Sequence, residues 1–65
     1  MTGEFGAETA EERIARYRRL AEDARSEAAI ADHTSTRVTL REVAAAWDRL
    51  ADNEVRILQG QQPIP

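Results

Sequence analysis

The sequence predicts an all-α protein, an antiparallel two-helix hairpin that is completed as a four-helix bundle by dimerisation. Three observations lead there. Apolar residues recur at steps of three and four over two long stretches, and no glycine or proline interrupts positions 7 to 59. The polar stretch "DHTST" separates the two. Helices joined by so short a connection are neighbours and run antiparallel.

Residues 1–8 contain two glycines and no periodicity, and read as a flexible N-terminal arm. The pair Glu4-Phe5 is also what a cloning-site remnant would encode. The N-terminus lacks the basic and apolar regions of a secretory signal, and no apolar run approaches the ~20 residues that span a bilayer. The expected location is the cytoplasm.

Helix 1 is expected over about residues 9–32. Thr9 and Glu12 have the spacing of a capping box, in which each side chain binds the other residue's amide. Glu11 and Glu12 suit the positive end of the helix dipole. Ala10, Ile14, Tyr17, Ala21, Ala24, Ala28 and Ala31 then recur with steps of four and three, a heptad seam. Asp32, Thr34, Ser35 and Thr36 favour turns and caps. Helix 2 is expected over about residues 35–59, with Thr39 and Glu42 as a rival capping box. Its apolar face carries Leu40, Val43, Ala44, Trp47, Leu50, Ala51, Val55 and Leu58. Gly60 is the expected left-handed terminator. Residues 60–65, with Pro63 and Pro65, form a flexible C-terminal tail that could also dock as an extended peptide.

A turn centred near His33 and Thr34 places residues opposite one another when their numbers sum to about 67. Ala28 then faces Leu40, Ala24 faces Val43 and Ala44, and Ala21 lies beside Trp47. Tyr17 meets Leu50 and Ala51, and Ile14 meets Val55. Small side chains oppose large ones. Yet each apolar stripe is wider than one partner helix covers, since Leu20 and Ile30 flank the first seam and Ile57 the second. A chain of 65 residues with no cysteine has no disulfide to compensate, and chains of this size bury only about 60% of their extended surface. A tryptophan buries roughly 150–250 Å² when covered. A second copy is therefore expected over Tyr17, Leu20, Leu40, Val43, Trp47, Leu50 and Leu58, with docking onto a larger protein as the other partner arrangement.

The charge is −3, every basic residue is arginine, and the excess of acid lies in the first half. Nucleic-acid binding is disfavoured, because duplex binders carry a basic stripe. The alternative function is a small dimeric nucleic-acid-binding regulator using Arg13, Arg16, Arg18 and Arg19 around Tyr17. The simpler reading pairs Glu12 with Arg16, Arg18 with Glu22, Arg19 with Asp23, and Asp52 with Arg56 along each helix. His33 stands in the turn with only Asp32 adjacent, too few ligands for a metal. Glu54 interrupts the second apolar stripe, and a carboxylate there needs a partner; the facing rule offers Arg13 and Tyr17. A surface-lying membrane helix prefers bulkier apolar and more basic faces than these. No phosphate loop, nucleophile elbow, HExxH or CxxC pair is present. No catalytic, cofactor or metal residue is assigned, and the chain is not expected to be an enzyme.

The stretches "RYRRLAEDARSEAAIA" and "LREVAAAWDRLAD" resemble a group of very short, uncharacterised bacterial helical-hairpin proteins. The shared pattern falls on Tyr17, Arg18, Ala21, Arg25 and Ala28, then on Ala44, Trp47, Leu50 and Ala51. It covers about residues 13 to 52 and implies the hairpin but no activity. The turn "DHTST" departs from the Asp-Pro that usually opens the second helix of that group. The function expected is a non-catalytic, self-associating protein–protein interaction module, acting as a small accessory or regulatory subunit.

Overall fold

A computed structural model of the chain describes residues 7–60. The chain folds into α1, Ala10–Ile30, and α2, Thr34–Gly60, packed side by side along their length. The N-terminal arm and the C-terminal tail fall almost wholly outside the described residues. Glu8 does not, and it is tied down: its carboxylate binds Arg16 and its carbonyl accepts from Arg13.

The capping box forms as the spacing requires. Thr9 Oγ1 accepts from the Glu12 amide at 3.1 Å, and the Glu12 carboxylate accepts from the Thr9 amide at 2.9 Å. At its other end α1 stops at Ile30, short of residue 32, with Ala31 in extended conformation. The last turn of α1 has no basic residue of its own, and Arg37 of α2 takes that place. Its Nε donates to the Ala31 carbonyl at 3.0 Å and its Nη2 to the Asp32 carbonyl at 3.5 Å. A guanidinium against free carbonyls at a helix C-terminus satisfies both their acceptors and the dipole. One side chain thus fixes the turn and the entry angle of α2.

Two further boundaries differ from the sequence reading. Helix α2 starts at Thr34, with the Arg37 amide bonded to the His33 carbonyl at 3.0 Å, so Thr39 and Glu42 lie inside the helix and do not cap it. Gly60 continues α2 as its last residue and does not take the left-handed conformation.

The packing is an alanine seam. Ala21, Ala24 and Ala28 of α1 and Ala44 and Ala51 of α2 are buried, and no side chain larger than alanine is fully buried among the described residues. Ala21, Ala24 and Ala44 form the centre, with Trp47 packed against them. Small residues at these positions let two helices approach with little side chain between them. Ile30, expected beside the seam, points away from α2 and is 81% exposed.

Candidate interaction surface

Successive residues of a helix advance by roughly 100°, so the neighbours of the alanine line define two flanks. One flank of α2 carries Asp48 and Asp52, and both turn toward α1. Arg18 donates to Asp48 at 3.3 Å and to Asp52 at 3.1 Å. Arg25 donates to Asp48 at 2.8 Å and to Glu22 at 2.9 Å. This face of the hairpin is a polar lattice spanning both helices. The hydrogen bond from Arg25 is the largest influence on Asp48 and holds its carboxyl below the usual range; Arg18 adds to it. Glu22 and Asp48 correspondingly raise the Arg25 guanidinium.

The opposite flank of α2 carries Val43, Leu50 and Ile57 in one row, each seven residues after the last. They are 39%, 45% and 48% exposed. The sense of rotation reverses between antiparallel helices, so Leu20 of α1 borders this same face. Leu20, Leu40 and Trp47 are half-buried along its inner edge. Leu58, expected in the interface, lies in line with Ala44 and Ala51 and is half-buried on the side toward α1. Ile57 occupies the outer position instead. A helix advances slightly less than two full turns in seven residues, so which of two adjacent apolar residues faces out depends on the facing helix.

Trp47 has a partner within its own chain. The Tyr17 ring stacks on it with centroids 5.6 Å apart and planes 26° from parallel, within the range of favourable aromatic pairs. The facing rule set Tyr17 against Leu50 and Ala51, one turn away, an offset that two long rings bridge. Arg16 lies over the Tyr17 ring at 5.1 Å from its centre and is gripped by both oxygens of Glu8 at 2.8 and 2.9 Å. This bidentate pair, with burial opposing, lowers the Glu8 carboxyl and raises Arg16. Carboxylate, guanidinium, phenol and indole are linked by successive pairwise contacts. Tyr17 is thereby part of the hairpin itself, while the indole keeps one half-open side on the apolar face.

Glu54 finds one of the two partners that the facing rule offered: Arg13 donates at 3.0 Å. Both side chains are partly covered, and no buried polar side-chain atom is left unsatisfied among the described residues. The expected pairs along each helix do not form. Glu12 is occupied by the capping box, which frees Arg16 for Glu8, and Arg18 reaches across to α2. Of the arginines read as a phosphate-binding patch, Arg13, Arg16 and Arg18 are engaged with carboxylates and, among the described residues, Arg19 is not, which weakens the case for such a surface. Among the described residues, no three His, Cys, Asp or Glu side chains are placed to hold a metal ion, and no helix is long and apolar enough to cross a membrane.

No protein-family model matches this sequence, and neither a curated protein nor a solved structure shows significant similarity to it. The class that the fold and surface define is a helical hairpin with one ion-paired face and one face that carries the exposed apolar row Val43, Leu50 and Ile57 beside the Arg13–Glu54 pair.

Proposed function

We propose that the chain is a non-catalytic, self-associating protein–protein interaction module, a cytoplasmic homodimer whose two hairpins complete a four-helix bundle and serve as a small accessory or regulatory subunit. One observation carries the reading. Among the described residues the hairpin fully buries only alanines, while Val43, Leu50 and Ile57 stand in an exposed row beside half-open Trp47. Fully burying one such aliphatic side chain is worth about 1.5–3 kcal/mol, so covering the exposed half of each stabilises by roughly 1 kcal/mol. A two-fold contact doubles every gain, because each patch appears twice. The pattern also matches the resemblance to short bacterial hairpin proteins, which implies the same fold and adds no chemistry.

Sedimentation equilibrium at micromolar concentration tests this. The expected mass is twice 7.3 kDa. A single-chain mass for a fully helical protein, with tryptophan emission typical of a dry indole, would overturn the proposal.

A further inference from the structure

Resting on the self-association just proposed, we infer the geometry of the contact: α2 packs antiparallel on α2 of a second copy, with the two-fold axis beside Leu50. The outer surface of α2 carries Thr39, Val43, Ala46, Leu50, Asn53 and Ile57, at steps of four, three, four, three and four, and all six are exposed. That is the spacing of a coiled-coil seam, with aliphatic residues at every second position and small or polar ones between. It lies outside the contact with α1, which uses Ala44 and Ala51.

The orientation follows from charge. An isologous contact centred on Leu50 pairs Val43 with Ile57 of the second copy, and Ala46 with Asn53. Along one edge of the seam run Glu42, Arg49 and Arg56, none of which has an ion-pair partner among the described residues. The antiparallel arrangement brings Glu42 of each copy to Arg56 of the other, twice. A parallel arrangement keeps them about 21 Å apart along the axis, fourteen residues at 1.5 Å each. Arg49 meets its own copy near the axis, the one like-charge encounter, and the two Glu42–Arg56 pairs on either side offset it. Ala46 removes bulk one turn from the crossing point, so the backbones can close there.

The chain has no cysteine, so single thiols report proximity cleanly. Full-length Val43→Cys and Ile57→Cys chains are mixed in equal amounts and oxidised mildly, with sedimentation run on the same samples. The expected product is the mixed disulfide between positions 43 and 57, formed in preference to either homodisulfide. Glu42→Arg should weaken the dimer about tenfold, and adding Arg56→Glu in the same chain should restore it. Homodisulfides at 43 and at 57, or a dimer in which neither pair links, would overturn this geometry and leave the self-association standing. A single-chain mass with no crosslink would overturn both.

Discussion

Ala51 and Ala21 are each 0% exposed, and this sets what the interior of the hairpin can accept. A core of methyl groups between two rods has no slack, and an added branch must push the helices apart. Ala51→Leu is expected to destabilise by about 1–3 kcal/mol, the usual cost of overpacking. Ala45→Leu, one residue round the same family of positions but exposed, should change stability by less than ~0.5 kcal/mol. Thermal melts followed by circular dichroism compare them, and a destabilisation equal at both positions would show that the alanine line is not the contact. These residues were legible in the sequence because period and size both marked them: the seam over Ala21, Ala24 and Ala28 needs only the step of three and four. The cover of Trp47 was not. The Tyr17–Trp47 stack and the Arg16 contact on Tyr17 depend on side-chain reach along the helices, which a rule based on facing positions does not contain.

The two helices differ in how their ends and flanks are held, and the difference follows sequence separation. The capping box at Thr9 was readable because both partners lie within four residues. The same is true of neither Arg37 on the Ala31 carbonyl nor Arg18 and Arg25 on Asp48. The facing rule that pairs Arg13 with Glu54 also reaches Arg18 on Asp48, whose numbers sum to 66, but not Arg25 on Asp48, whose numbers sum to 73. The rule of pairs four apart drew Arg18 to Glu22 instead. A pH dependence follows. Asp48 and Glu8 are both held below their ordinary values of 3.8 and 4.5 in the folded chain. The unfolded chain therefore binds more protons in this range, and stability rises with pH through it. The contribution is fully present above the unfolded carboxylate pKa and is lost as pH falls through the lower, folded one. Helicity should fall in acid titrations below about pH 4, less steeply in Asp48→Asn. Because the ion pairs are solvent-exposed, added salt should shrink the effect. An Asp48→Asn titration superimposable on the parent would remove Asp48 from the account.

At the scale of the molecule, two helices in one layer have two faces, and this sequence makes them unlike. Arg18, Arg25, Asp48 and Asp52 close one with charge, while Val43, Leu50 and Ile57 leave the other open. If a second copy covers the open face, folding and association are one equilibrium, and apparent stability depends on concentration by mass action. The melting temperature should then climb with protein concentration. A hairpin that is complete alone would melt at one temperature throughout. Leu50→Asp separates these cases at the site where the effect is largest. The position is exposed in the single chain, so the substitution spares the alanine seam, the capping box and the Arg37 contact. In the dimer it sets two carboxylates against each other beside the axis, each removed from water without a partner. The expected result is a dimer weakened by about a hundredfold or more, and a melting temperature that no longer responds to concentration. It should meet the parent's curve only at high dilution, where the parent is monomeric as well. If instead Leu50→Asp melts like the parent at every concentration, the row from Val43 to Ile57 is not where this protein meets its partner.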